Sequence, residues 1–208
     1  QATYGYKKFN LIGHSQGAPT ARYITGTAPA MVASVTTVGG VNKGTPVADS
    51  GLLLGVGITG SPIALLIELL AGNVSSTNMT AALNSLSTGG ANAYNKKFPA
   101  GVPTTSCGSG AASVNGMQFY SASGTSISTN ALDVSDTLIA AVSVGFAGAA
   151  SDGLVGKCAS HLGTVLKDNY KWNHLDEVNQ VSGLRGVLAE DPVAFYRTQV
   201  NRLKNAGL

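Results

Sequence analysis

The chain has 208 residues, enough for one domain to bury a core without leaning on many disulfides or a structural metal. It is 44% hydrophobic and only 11% charged, against ~25% charged in an average protein, which excludes a disordered, self-repelling polymer. The formal net charge is +3, and the 13 lysines and arginines stand singly or in pairs such as Lys7 and Lys8, so no basic stripe exists to neutralise nucleic-acid phosphates.

Lys8 to Ile12 is a short, mostly apolar run ending at Gly13. A helix follows Gly17 and Pro19, reaches Thr25 and is stopped by Gly26 and Pro29. Ala33 to Val38 is a second β-branched run, so the opening 40 residues predict a β-α-β unit, a mostly parallel sheet and the α/β class. The turn between first strand and helix reads Gly13-His14-Ser15-Gln16-Gly17, which fits G-x-S-x-G. Such a turn strains the serine backbone and points its hydroxyl outward, and a Cβ on either flanking glycine is expected to collide with its neighbours. The Gln16 amide, at the following helix's N-terminus, is placed to face a developing oxyanion.

Between Ser50 and Asn95 Glu68 is the only charged residue, and Gly51 to Gly72 is the most apolar stretch of the chain. Gly55, Gly57, Gly60 and Pro62 interrupt it, leaving a helix of about ten residues, Pro62 to Ala71, too short to cross ~30 Å of hydrocarbon. A core helix and a mobile surface helix with an exposed apolar face remain as readings. Met117 to Ser123 is a strand, whereas Asp136 to Phe146 shows no decisive period. Cys107 and Cys158 are too far apart for a redox pair. One disulfide between them would close a 51-residue loop, worth roughly 4 kcal/mol in an oxidising compartment, the alternative being two free thiols. Low charge and abundant small polar residues point to export, any leader having been removed before Gln1. Asp191 and Pro192 open a last helix whose apolar face is Val193, Tyr196, Val200 and Leu203. Without repeats or linkers, residues 1–208 read as a single domain.

A serine hydroxyl needs a base within hydrogen-bond reach to attack an ester. Of three histidines, His14 adjoins Ser15 with its ring directed away, leaving His161 and His174. In α/β-hydrolases the acid lies in sequence between nucleophile and histidine. Asp152, in Ser151-Asp152-Gly153, is a candidate, and Asp133, Asp136 and Asp168 are rivals that spacing does not separate.

The segments Asn10 to Gly17, Ser151 to Cys158, Tyr170 to Gln180 (Tyr-Lys-Trp-Asn-His-Leu-Asp-Glu-Val-Asn-Gln) and Asn201 to Asn205 closely resemble the secreted, foldase-dependent triacylglycerol lipases of the Pseudomonas and Burkholderia type. The resemblance runs through nearly the whole chain and implies an α/β-hydrolase fold with Ser15 as nucleophile, Asp152 as acid, His174 as base and His161 structural. It places Cys107 and Cys158 where that family forms its disulfide. It implies a structural calcium ion (Ca2+) held by the carboxylates of Asp133 and Asp176 and the backbone oxygens of Gln180 and Leu184, with Asp136 the nearest alternative to Asp133. Calcium takes hard oxygen ligands, and Asp176 sits two residues past His174, so the ion would tie down the loop that orients the base. The resemblance also puts a lid at about 50–95, opening at an oil–water interface, and implies a foldase partner during export.

Two departures from the pattern stand out. The family carries a segment before the elbow strand that supplies two strands and the second oxyanion donor, which leads to the expectation of a fragment whose N-terminal piece is held noncovalently or lies outside these 208 residues. Gly39-Gly40-Val41-Asn42-Lys43-Gly44-Thr45 stands where the family has Gly-x-Pro-His-Lys/Arg-Gly-Ser, bordering the acyl pocket, so substrate preference is expected to differ. The sequence therefore points to a secreted lipase. A carboxylesterase or polyester depolymerase is the alternative within that chemistry, and a catalytically silent fragment the alternative outside it.

Overall fold

The computed structural model describes residues 3–53 and 78–208. The chain order is β1 (Phe9–His14), α1 (Gly17–Thr27), β2 (Val32–Val38), α2 (Pro46–Leu53), α3 (Met79–Leu86), α4 (Thr88–Lys97), β3 (Ser113–Val114), β4 (Met117–Gly124), α5 (Val134–Ser143), β5 (Thr164–Tyr170) and α6 (Pro192–Asn205). Strands β1, β2, β4 and β5 pair in parallel in that order, and the short β3 runs antiparallel to the start of β4. The mostly parallel α/β sheet expected from the opening β-α-β unit is therefore present, as is the strand read at Met117.

β2 is buried along its whole length. Its Val32, Val35 and Val38 fill two core clusters, while each polar residue between them has a partner. The Ser34 hydroxyl donates to Asn10 Oδ1 at 2.7 Å, Gln199 Nε2 donates to Thr36 Oγ1 at 2.9 Å, and Asn42 Nδ2 donates to Thr37 Oγ1 at 3.2 Å. This is how a central strand carries hydroxyls without leaving buried polar groups unpaired. A third cluster, with Val41, Ile139, Phe146, Leu154 and Leu175, packs beneath the Asp152 loop. Cys107 and Cys158 form the expected disulfide.

Two sequence expectations change. Asp136–Phe146, without a decisive period, lies in α5 and a following 3₁₀ turn at Val144–Phe146, and α5 is capped by Asp133, whose carboxylate accepts from the Ser135 amide. Helix α6 forms where expected, but its buried face is Pro192, Phe195, Gln199 and Leu203, while Val193 and Val200 are exposed. Phe195 packs edge-on against Trp172, and Gln199 reaches Thr36, which rotates the helix away from its two valines.

The helix expected at Pro62–Ala71, and with it the core of the lid region, lies outside the described residues. Among the described residues no helix is long and apolar enough to cross a membrane.

Candidate active site

The C-terminal ends of β1, β2 and β4 lie at one end of the sheet, where β1 closes on His14 and runs into Ser15, β2 runs into Gly39 and β4 closes on Gly124, the position where open parallel sheets place their sites. Ser15 has φ +52°, a left-handed conformation costly for a residue with a Cβ. The turn is held from β2, the loop after it and α1: the Ser15 amide donates to the Val38 carbonyl at 3.2 Å, and the Ser15 carbonyl accepts from the amides of Ala18 at 3.1 Å and Val41 at 3.3 Å. A Cβ at Gly13 would lie 2.3 Å from the Gly17 carbonyl oxygen, so that glycine is required. Gly17 has open space around its Cβ position, which corrects the expectation that both flanks are sterically closed. Gln16 is the N-cap residue of α1 with helical backbone angles, so its amide belongs to the positive end of the helix.

Asp152 and His174 meet beside this turn. Asp152 Oδ2 and His174 Nδ1 are 2.8 Å apart, and both side chains are fully buried. The other carboxylate oxygen accepts from the amides of Leu154 and Val155 at 2.9 and 2.7 Å, so the Asp152 loop fixes the orientation of its own charge. Gly153 follows at φ +96°, with Ile139 Cγ2 2.1 Å from where a Cβ would stand, and the turn needs glycine on both counts. The His174 amide donates back to the Asp152 carbonyl at 2.9 Å. With Nδ1 donating to the carboxylate, Nε2 is the free base nitrogen. That atom is buried without a hydrogen-bond partner, and the Ser15 hydroxyl makes no hydrogen bond to it. Such bonds are often loose before substrate binds. The ring of His174 lies against that of His14, centroids 4.4 Å apart, which places the base next to the elbow.

The rival groups are committed elsewhere. His161 Nδ1 faces the Gly108 carbonyl at 3.1 Å and its Nε2 faces Asp168 at 3.1 Å, with Lys157 also on Asp168. Asp136 accepts from the amides of Thr129 and Asn130 and from Asn173 Nδ2.

Glu177 is the group that sequence reasoning missed. Its carboxyl is fully buried, accepts from the Gly124 amide at 2.7 Å, and lies 3.8 Å from His174 Nδ1. Burial pushes its pKa well above the usual carboxylate range, and the adjacent Asp152 charge pushes it further. A Cβ at Gly39, where φ is +49°, would fall 1.9 Å from Glu177 Oε2 and 3.0 Å from Asp152 Oδ2. The Gly39 position in the divergent loop is thus shaped by two carboxyl groups. Nothing in the sequence marked Glu177, because a carboxylate adjoining Asp176 reads as solvated loop charge.

Asp133 and Asp176 are both buried, and each has one carboxylate oxygen without a partner, Asp133 Oδ2 and Asp176 Oδ1. Burial raises Asp176 to a pKa of about 6, with Asp136 and Asp133 adding repulsion. Two bare, buried oxygens on mutually repelling carboxylates are a donor set that suits a hard cation, and Asp136, whose oxygens are both occupied, suits it less. The Gln180 carbonyl accepts from the Ser182 amide at 2.8 Å, and the Leu184 amide donates to the Val181 carbonyl at 2.8 Å, so both expected backbone ligands lie in the hydrogen-bonded turns that follow Asp176. His14, His174 and Glu177 also bring three ligand atoms within 4.8 Å of one another, with His14 Nε2 and His174 Nδ1 engaged in hydrogen bonds.

Comparison with known proteins agrees with this fold. A family model described as the α/β-hydrolase fold matches residues 1–178. A triacylglycerol lipase of Vibrio cholerae is 45% identical over 217 residues, covering 100% of this chain and 69% of that protein. A triacylglycerol lipase of Burkholderia plantarii is 41% identical over 247 residues, covering 100% and 69% respectively. Among solved structures, the mature lipase BlEst2 of Bacillus licheniformis superposes with a TM-score of 0.61 at 17% identity, over 97% of this chain and 67% of that one, a likeness of fold.

Proposed function

This chain belongs to the α/β-hydrolase family and, within it, to the bacterial triacylglycerol lipases, and we propose from that premise that it cleaves acylglycerol esters through Ser15, His174 and Asp152. The observation that carries the proposal is the fully buried 2.8 Å contact between His174 Nδ1 and Asp152 Oδ2 beside a serine held at φ +52°.

In this mechanism His174 Nε2 takes the Ser15 proton as the hydroxyl oxygen attacks the ester carbonyl carbon. The charge that develops on the carbonyl oxygen is met by the Gln16 amide at the N-terminus of α1. The imidazolium then protonates the leaving alkoxide, an alcohol departs, and Ser15 holds the acyl group. Water, deprotonated by the same nitrogen, attacks that ester, and as the bond to Ser15 breaks the imidazolium returns its proton to the serine oxygen and the fatty acid is released. Asp152 keeps the proton of neutral His174 on Nδ1 and balances the imidazolium charge.

A calcium ion held by Asp133 and Asp176, with the carbonyls of Gln180 and Leu184, would neutralise buried negative charge and stiffen the segment that follows His174. The bare oxygens of Asp133 and Asp176 support this. The Cys107–Cys158 disulfide supports export into an oxidising compartment, and a foldase partner follows from the family. The test is hydrolysis of long-chain triacylglycerol emulsions beside short soluble p-nitrophenyl esters. Turnover of the emulsion is expected, whereas activity confined to short or polymeric esters would favour an esterase or depolymerase.

A further inference from the structure

Three contacts converge on the ring of His14. Its Nε2 lies 2.9 Å from the backbone carbonyl oxygen of His174 and 3.3 Å from Glu177 Oε2, and its ring packs on that of His174 at an interplanar angle of 39°. A carbonyl oxygen only accepts, so His14 Nε2 carries the proton and donates, and Nδ1 is bare in the neutral ring. Burial, reinforced by the neighbouring His174, pushes the His14 pKa well below its ordinary value and keeps that ring neutral.

The placement matters more than the bond. His14 is joined by a peptide bond to Ser15, whereas His174 is 160 positions away. The backbone of His174 is therefore held at both ends of the residue: its amide by the Asp152 carbonyl at 2.9 Å, its carbonyl by His14. Asp152 fixes the His174 ring through Nδ1, but it is His14 that ties the base-bearing loop directly to the elbow.

We propose that His14 is a positioning residue of the hydrolytic reaction, its Nε2–H bond to the His174 carbonyl and its ring contact setting the approach of His174 Nε2 to the Ser15 hydroxyl. This rests on the hydrolase reading of Ser15 and His174. A displacement of about 1 Å between reacting groups costs on the order of 10²-fold in rate, so partial loosening falls on kcat while KM is unaffected.

The test compares three variants by kcat per active site titrated with a fluorophosphonate, and by KM. His14→Phe keeps a ring and loses the donor, His14→Gln places an amide N–H where Nε2 stood, and His14→Asn places it short, near Nδ1. We expect His14→Phe and His14→Asn to lower kcat about tenfold with KM unchanged, and His14→Gln to stay within about threefold of wild type. A His14→Phe enzyme that turns over like wild type per titrated site, or rescue by Asn equal to that by Gln, overturns the proposal. A second measurement needs no variant: long-range ¹H–¹⁵N correlation on the wild-type protein should show His14 neutral with its proton on Nε2, and a proton on Nδ1 would equally overturn it. Wild-type protein that takes up no probe at Ser15 would instead overturn the hydrolase reading itself.

Discussion

His174 Nδ1 and Asp152 Oδ2 lie 2.8 Å apart between two fully buried side chains. A neutral imidazole that donates its Nδ1–H to such a contact has only Nε2 left to act as a base, and loss of the carboxylate frees the opposite tautomer. Asp152→Asn is expected to lower kcat by about 10²- to 10⁴-fold with KM little changed, measured on a soluble ester.

The elbow stores strain where the nucleophile sits. Ser15 at φ +52° occupies a conformation in which a Cβ costs about 1–2 kcal/mol. Ser15→Gly should therefore abolish hydrolysis and raise stability by about 1 kcal/mol, seen as a thermal midpoint higher by about 2–4 °C. An unchanged or lower midpoint would contradict stored strain at this turn.

The two elbow glycines should behave differently. Gly13→Ala drives a Cβ to 2.3 Å from a backbone oxygen, whereas Gly17→Ala enters open space. Soluble, active protein is expected from Gly17→Ala alone, and expression with ester-hydrolysis assay of both variants checks it.

The elbow, the β1-α1-β2 unit and the β4 strand were legible in the sequence because a β-branched or apolar run bounded by glycine has few alternatives. α5 was less legible, since its Val, Ser and Thr are poor helix formers and its one firm signal is the capping Asp133. β5, Thr164–Tyr170, shows no alternation because it is only partly buried, with both faces lined by a mixture of apolar and charged residues. The buried face of α6 slipped because a glutamine with a buried partner outranked two valines. At the site, resemblance selected Asp152 from four carboxylates that spacing could not separate, and of the four it is Asp152 that lies at hydrogen-bond distance from His174. Glu177 and the role of His14 depend on contacts between residues far apart in sequence, which no local pattern encodes.

Asp176 gives the fold a pH dependence that calcium should remove. Its pKa of about 6 is raised above the unfolded value near 3.8, so the folded state holds the proton more tightly than the unfolded one. Without metal, stability contributed by this group is present below pH ~4 and is lost as pH rises through about 6. In chelator the thermal midpoint should fall across that window. With calcium the fall should disappear, and Asp176→Asn should abolish the response to the ion. A midpoint indifferent to calcium and chelator at pH 7 removes the ion from the account.

Closing a 51-residue loop gives the Cys107–Cys158 bond a contribution of about 4 kcal/mol. Cys107→Ser/Cys158→Ser protein should be less stable by about that free energy and unfold at a lower urea concentration, measured by equilibrium urea unfolding.

Hydrolysis by this site requires that His174 activate Ser15. The most direct measurement is stoichiometric fluorophosphonate labelling of folded, calcium-replete protein, with the modified peptide located by mass spectrometry. The expected result is one label per chain on Ser15, formed at least 10²-fold more slowly in His174→Ala. No label on Ser15, or labelling at an undiminished rate without His174, would contradict it.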